Sequence, residues 1–88
     1  MLNFNFVYKK AWEKYGEIAQ MIVALEELSE LQKEITKYLR GKDNFENIEE
    51  EIADVELMIA QIKYGLNLNE DNIQHIKENK VNRLLNKW

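Results

Sequence analysis

Residues 21–39 read MIVALEELSELQKEITKYL and carry an apolar residue at every third or fourth position. An α-helix has 3.6 residues per turn, so this spacing places the apolar side chains on one side of a helix. The members of this stripe are Met21, Ala24, Leu25, Leu28, Leu31, Ile35 and Leu39. Glu27 and Glu30 are three residues apart and lie along one edge of the stripe. The stretch therefore predicts a long amphipathic helix with a carboxylate pair beside its core-facing side.

Residues 46–64 repeat this arrangement. The apolar positions of this second stripe are Ile48, Ile52, Val55, Ile59 and Ile62. Glu51 and Asp54, again three residues apart, lie along the edge of the stripe. If the two stripes pack on each other, the two acidic edges converge. We therefore expect four carboxylates from two neighbouring helices to face a common point.

The remainder of the chain also favours helices. There is no Pro, Gly occurs only at positions 16, 41 and 65, and no segment shows the sustained alternation typical of a strand. Gly is common just after the end of a helix. These features predict four helices at about 5–15, 17–40, 46–64 and 70–87. Because the loops are short, we expect an all-α antiparallel bundle that forms a single domain over residues 1–88.

Composition restricts the classes of protein that the chain can belong to. Its 88 residues include no Cys and one His, which excludes disulfides and the usual zinc sites. So short a chain buries a modest core, and a homodimer or homotetramer is the expected reinforcement. The net charge of −4 argues against a nucleic-acid polymer as partner. Without a long apolar run or the charge order of a signal peptide, we expect a cytoplasmic protein that does not bind membranes.

The four acidic residues predict a metal site. Glu27, Glu30, Glu51 and Asp54 would repel one another at a core edge unless a cation neutralised them. Oxygen ligands favour Mg²⁺, Mn²⁺ or Ca²⁺ over zinc and copper, and Mg²⁺ usually shares its coordination with substrate phosphates. Either pair alone is more typical of a solvated helix face. A di-iron bundle would require Glu-x-x-His pairs, which this sequence lacks.

The acidic segments resemble a known family. The stretch E26-E-L-S-E-L31, followed by E50-E-I-A-D-V55, is similar to the E-x-x-E and E-x-x-D signature of MazG-like all-α nucleoside triphosphate pyrophosphohydrolases. Gly16 and Gln20 resemble the short lead-in of that signature, and K80-V-N-R83 resembles its late basic element. The similarity covers residues 12–84. It implies an oligomeric helical enzyme that cleaves an NTP or dNTP to the monophosphate and pyrophosphate.

The resemblance also implies roles for individual residues. Glu27, Glu30, Glu51 and Asp54 would be the catalytic metal ligands for Mg²⁺, with Mn²⁺ as a substitute, and Glu27 or Glu30 could activate the water. The expected substrate-binding residues are Lys80, Arg83, Lys77, Gln20 and Trp12. Lys80 and Arg83 would bind phosphate, although an ion pair with the acidic helix is an alternative for Lys80. Gln20 could contact the base or sugar, or be merely solvated, and Trp12 could stack on a base or belong to the core.

Two other functions remain compatible with the sequence. One is an enzyme related to phosphoribosyl-ATP pyrophosphohydrolase. A panel of nucleotide substrates would distinguish it from a MazG-like nucleoside triphosphate pyrophosphohydrolase. The other is a helical adaptor or regulator without catalytic activity, which would show no metal dependence. The base and sugar of the substrate, the number of metal ions and the biological role are not fixed by these residues.

Overall fold

The computed structural model describes residues 3–88, which form three α-helices. These are α1 (Phe4–Leu39), α2 (Phe45–Gly65) and α3 (Glu70–Asn86), and no strand occurs within this range. The expected all-α class is therefore confirmed. None of the three helices is long and apolar enough to cross a membrane.

Helix α1 is broken at Gly16. The backbone there has φ 85° and ψ 165°, in a region that glycine adopts readily and other residues rarely do. The prediction of separate helices at 5–15 and 17–40 located this break correctly. One left-handed residue does not insert a loop, however, so the two segments continue as one kinked helix. The predicted antiparallel bundle of about four helices is thus not confirmed: residues 3–88 form α1, α2 and α3, with α1 made of two helical segments that meet at Gly16.

Helices α1 and α2 are antiparallel. The side chain of Glu34 meets Asn44, Glu27 lies near Asp54, and the Trp12 ring lies over Gly65. Residue numbers thus fall along α1 as they rise along α2. Gly41, with φ 96°, follows the end of α1 and allows a connection as short as residues 40–44.

The face that α1 presents to α2 differs from the predicted stripe. The buried residues of these two helices are Tyr8, Gln20, Ala24, Glu34, Val55 and Met58. Leu25 and Leu39, which we expected in the core, are 66% and 78% exposed. Ile52 and Ile59 of α2 are exposed as well. Ala24 and Val55 of the predicted stripes are buried as expected, but the contact face is rotated from each stripe toward its acidic edge, where Gln20, Glu34 and Met58 are buried.

Helix α3 is attached at its beginning and makes little other contact with the rest of the chain. The side chain of Asn69 accepts a hydrogen bond from the backbone N–H of Asn72 at 2.9 Å, as expected for its N-cap. Lys63 and Glu70 form an ion pair at 3.0 Å between the end of α2 and the start of α3. No residue of α3 is buried. The main packing in residues 3–88 is thus between α1 and α2.

Candidate metal centre

Three carboxylates meet between α1 and α2. Glu27 of α1 and Glu51 and Asp54 of α2 each place one oxygen so that all three atoms lie within 4.8 Å of one another. Glu27 and Glu51 are half-buried between the helices, and Asp54 is exposed at the edge of the contact. The rotation of the helix faces brings Glu27 and Glu51 into the interface itself. For these three residues, the two predicted acidic edges do converge.

Glu30, the fourth predicted ligand, lies at the rim of this group. Its side chain is exposed, and it is not one of the three residues whose oxygens lie closest together. Its negative charge nevertheless raises the pKa of both Glu27 and Glu51. Glu30 is therefore near enough to act electrostatically on Glu27 and Glu51. We call the four residues Glu27, Glu30, Glu51 and Asp54 the acidic cluster.

The surroundings of the acidic cluster disfavour the ionised forms of Glu27 and Glu51. Loss of hydration raises the pKa of Glu27, and the charge of Asp54 and a hydrogen bond to Asp54 raise it further. Loss of hydration also raises the pKa of Glu51, followed by the charges of Asp54 and Glu30. The charges that act on these two carboxyls are negative in every case. A divalent cation at the acidic cluster would relieve both effects.

One oxygen of the acidic cluster is buried without a partner. Glu51 Oε2 has no hydrogen bond within the part of the chain that the structure describes. Leaving a buried acceptor unpaired is costly, and such atoms in native proteins need an explanation. Glu34, only seven residues along α1 from Glu27, shows the opposite situation. Hydrogen bonds from Asn44 and Lys37 lower its pKa below the ordinary value. The unpaired oxygen thus distinguishes the acidic cluster from Glu34, whose carboxylate has its hydrogen bonds within the chain.

The two predicted base-binding residues have different surroundings. Gln20 is buried and lines a cleft together with Gln61 and Met58, two turns before Glu27 along α1. The ring of Trp12 instead lies over Gly65, where an added Cβ would collide with it. Trp12 therefore contributes to the α1–α2 contact, which was the alternative interpretation of this residue. It does not line the cleft with Gln20.

The three predicted phosphate-binding cations lie on α3, away from the acidic cluster. Lys77, Lys80 and Arg83 are exposed. The ion pairs found among residues 3–88 involve other residues, so none of these three cations lies within 4.0 Å of a carboxylate oxygen in this range. The alternative of an ion pair between Lys80 and the acidic helix is therefore absent from the single chain. The physical reason is that α3 packs so little against α1 and α2.

Two residues of interest were not predicted from the sequence. Gln61 lines the cleft beside Gln20, and Glu34 is buried at the other end of the α1–α2 contact. Gln61 did carry a signal, because it is the single polar residue in the run Leu57–Ile62. Glu34 carried none on its own, since a glutamate in a helix normally faces water. Its burial depends on Asn44, which lies beyond the loop as the residue that precedes α2.

Comparisons with protein-family models, with curated proteins and with solved structures found no match. Evidence for a function therefore comes from the side chains of this chain. The acidic cluster combines convergence from two helices, raised pKa values of Glu27 and Glu51 and an unpaired buried oxygen.

Proposed function

We propose that this protein is a Mg²⁺-dependent nucleoside triphosphate pyrophosphohydrolase, as the resemblance of its acidic segments implied. The observation that carries the proposal is the convergence of Glu27, Glu51 and Asp54 within 4.8 Å between two helices. The reaction hydrolyses the anhydride bond between the α- and β-phosphates. Its products are the nucleoside monophosphate and pyrophosphate.

The chemistry of the acidic cluster supports a hard divalent cation. All of its donors are carboxylate oxygens, which suit Mg²⁺ and Mn²⁺ and disfavour zinc or copper. The three oxygens lie within 4.8 Å of one another, so Glu27, Glu51 and Asp54 could hold one such ion together. Glu51 Oε2, which is buried without a partner, is a natural ligand.

The residues of the acidic cluster divide the catalytic work. Glu27, Glu51 and Asp54 hold the cation, and Glu30 completes the set from the rim. When bound, the ion would supply positive charge to neutralise the triphosphate oxygens and the charge that develops at the attacked phosphorus. Alternatively, Glu27 or Glu30, in place of its role as a ligand, would accept the proton of the water as the water oxygen bonds to phosphorus and the anhydride P–O bond breaks. Pyrophosphate leaves with the electron pair of that bond.

Association of identical chains, as a homodimer or a homotetramer, is part of the proposal. Large apolar side chains are exposed along α1, with Ile18 78% exposed, and Val81, Leu84 and Leu85 of α3 are exposed as well. Exposed apolar surface of this extent is typical of an interaction surface. A second copy could cover these side chains and present Lys77, Lys80 and Arg83 to the triphosphate. A monomer in light scattering at micromolar concentration would contradict this part of the proposal.

The exposed apolar surface also favours the second candidate, a helical adaptor without catalytic activity. An adaptor would use the same side chains of α1 and α3 to bind a partner helix. It would have no use for a cation-binding cluster. The acidic cluster, whose ionised form is disfavoured without a cation, therefore weighs against this candidate.

A screen for pyrophosphate release tests the proposal. The purified full chain is incubated with dNTPs, NTPs and phosphoribosyl-ATP in the presence of Mg²⁺, Mn²⁺ or EDTA. We expect release from at least one nucleoside triphosphate with Mg²⁺ or Mn²⁺ and none with EDTA. Hydrolysis of phosphoribosyl-ATP alone would identify the related enzyme instead, and absence of release from every substrate would support the adaptor.

A matched pair of variants connects the activity to the acidic cluster. Asp54→Asn removes one charge from the cluster with little change in shape, and we expect it to abolish turnover with the fold intact. Glu56→Gln removes an exposed charge from the same helix and should leave turnover unchanged. Near-normal activity of Asp54→Asn would overturn the assignment of the ligands.

A further inference from the structure

A cavity of about 660 Å³ lies where the beginning of α1, the end of α2 and the beginning of α3 come together. Its lining includes Tyr8 of α1, Lys63 and Tyr64 of α2, Asn67 of the connection and Glu70, the first residue of α3. Pockets for small molecules commonly measure about 300–1,000 Å³. The cavity is therefore large enough for an organic ligand, and it occupies the place where α3 is attached to the rest of the chain.

The cavity is separate from the acidic cluster. Three residues of α2 line it, and at about 100° per residue they are centred roughly 160° around the helix axis from Glu51 and Asp54. These three residues are Ala60, Lys63 and Tyr64. Lys63 also follows Asp54 by nine residues along α2, which is a rise of about 14 Å. A ligand in the cavity therefore lies on the side of α2 that faces away from the proposed metal ligands and does not contact them.

The charged groups that line the cavity neutralise each other. Lys63 Nζ lies 3.0 Å from Glu70 Oε2 and 3.1 Å from Glu70 Oε1. Among residues 3–88, no other charged side chain lines the cavity. Binding a phosphate group normally takes cations that are free to pair with it. The lining therefore favours an uncharged ligand over a nucleotide.

Tyrosine rings and carboxamides make up most of the remaining lining. Tyr8 is 8% exposed and Tyr64 is 41% exposed, while Asn5 and Asn67 supply the carboxamides. None of the side-chain hydrogen bonds found within residues 3–88 uses any of these four side chains. Aromatic rings stack on planar ring systems, and a carboxamide offers both donors and acceptors. The cavity thus provides flat apolar faces together with directional polar groups.

We propose that this cavity binds an uncharged nucleoside, at a second ligand site that the proposed hydrolytic reaction does not use. The planar base stacks on the rings of Tyr8 and Tyr64, and the carboxamide of Asn67 hydrogen-bonds to its edge. The hydroxyls of the sugar both donate and accept, so they match the pair of Lys63 and Glu70, which offers one charge of each sign. Since Glu70 begins α3, the bound nucleoside joins α3 more firmly to the other two helices.

Backbone amide chemical shifts, measured by NMR on the isotope-labelled full chain, test this assignment. Adenosine, guanosine, cytidine, uridine and thymidine are titrated in EDTA, so that no divalent ion occupies the acidic cluster. We expect at least one nucleoside to shift the amides of Tyr64 and Asn67 in a saturable manner and to raise the melting temperature. The triphosphate of the same nucleoside should bind there about ten-fold more weakly, because the cavity has no cation to spare. Shifts at these amides with L-phenylalanine, and with no nucleoside, would overturn the assignment of the ligand.

Two variants locate the ligand. Tyr64→Leu removes one ring, and Asn67→Gly removes the carboxamide at a position whose φ of 53° glycine adopts without strain. Tyr15→Leu is the matched control, since Tyr15 is an exposed tyrosine in the cleft with Met58 and Gln61 on the other side of α2. We expect Tyr64→Leu to weaken binding about ten-fold, through the loss of one stacked ring. Asn67→Gly should weaken it about five-fold, through the loss of one hydrogen bond, and Tyr15→Leu should leave it unchanged.

The absence of shifts at Tyr64 and Asn67 with every nucleoside would overturn the proposal. Weaker binding in Tyr15→Leu with unchanged binding in Tyr64→Leu would also overturn it, because the nucleoside would then occupy the cleft near the acidic cluster. Circular dichroism should give helical spectra for all three variants, and Asn67→Gly keeps the test decisive if Tyr64→Leu does not fold. These measurements involve neither metal nor turnover. Their failure would leave pyrophosphate release to the nucleotide screen, and failure of that screen would leave nucleoside binding standing.

Discussion

The side-chain amide of Asn44 donates one hydrogen bond to the Glu34 carboxylate at 2.9 Å and another to the Glu34 backbone carbonyl at 3.0 Å. Lys37 donates a third bond to the same carboxylate at 3.2 Å. The two bonds from Asn44 join the last turns of α1 to the residue that precedes α2, while the bond from Lys37 lies within α1. Farther along the same pair of helices, Glu27 lies near Asp54.

We predict that Asn44→Ala destabilises the fold by about 1–3 kcal/mol, the cost of leaving a buried acceptor unpaired. The N-cap contribution of this residue is small, because its side chain makes no cap hydrogen bond and is used for Glu34 instead. Urea unfolding measures the change. Asn82→Ala, an exposed position on α3, should change the free energy of unfolding by much less. Similar losses for the two variants would show that the Glu34 contact contributes nothing.

The same contact predicts a pH dependence of stability. Hydrogen bonds from Asn44 lower the pKa of Glu34 below its ordinary value of 4.5, so the folded state favours the ionised carboxylate. The stability that this provides is present above the unfolded pKa and is lost as the pH falls through the lower, folded pKa. Wild type should therefore exceed Glu34→Gln in stability near neutral pH, and the difference should shrink in acid below about pH 4. A difference between the two that stays constant over this range would contradict the role of the ionised carboxylate.

The contact of Trp12 with Gly65 predicts a second site of sensitivity. A Cβ at position 65 would collide with the Trp12 ring, so Gly65→Ala should destabilise the fold by about 1–3 kcal/mol through overpacking. In a Trp12→Leu background the same substitution should cost clearly less, because the ring is gone. A double-mutant cycle by urea unfolding measures this coupling. Additive losses would indicate that the two residues do not touch.

The raised pKa values of the acidic cluster predict opposite effects with and without metal. The folded state disfavours the ionised form of Glu51, so Glu51→Gln should raise the melting temperature near pH 7 in EDTA. Wild type in EDTA should gain stability as the pH falls through that raised pKa. Mg²⁺ at about ten times its Kd should stabilise wild type by about 1.4 kcal/mol, a rise of several degrees that Glu51→Gln loses. Glu56→Gln is the control, and an equal response to Mg²⁺ in all three proteins would remove the metal from the acidic cluster.

Helical periodicity predicted most of the secondary structure because its signals are local. The spacing of apolar residues, the absence of Pro and the position of Gly16 depend on neighbours within one or two turns. The boundaries of the last two helices follow for the same reason, and they agree with α2 and α3 to within one residue at each end. The break at Gly16 was located for the same reason, and the two helical segments on either side of it meet there without a loop.

The packing of the helices was harder to predict, because it depends on pairs of residues far apart in the sequence. The burial of Glu34 becomes favourable only when Asn44 satisfies it. The sequence does not show that pairing, so the apolar stripes pointed to a core face rotated from the real one. The predicted convergence of Glu27, Glu51 and Asp54 was nevertheless correct, because Glu27 and Glu51 lie at the edge of each stripe, next to the actual interface. The partners of Lys80 and Arg83 cannot be read from a single chain if a second copy supplies the contact.

A crystal structure with Mn²⁺ and an α,β-imido nucleoside triphosphate tests the central claim most directly. Mn²⁺ substitutes for Mg²⁺ at oxygen sites and gives an anomalous signal that locates it without ambiguity. We expect an anomalous peak bonded to oxygens of Glu27, Glu51 and Asp54, with the triphosphate on the same ion. A structure in which these three side chains point apart into solvent, with no ion between α1 and α2, would contradict the account.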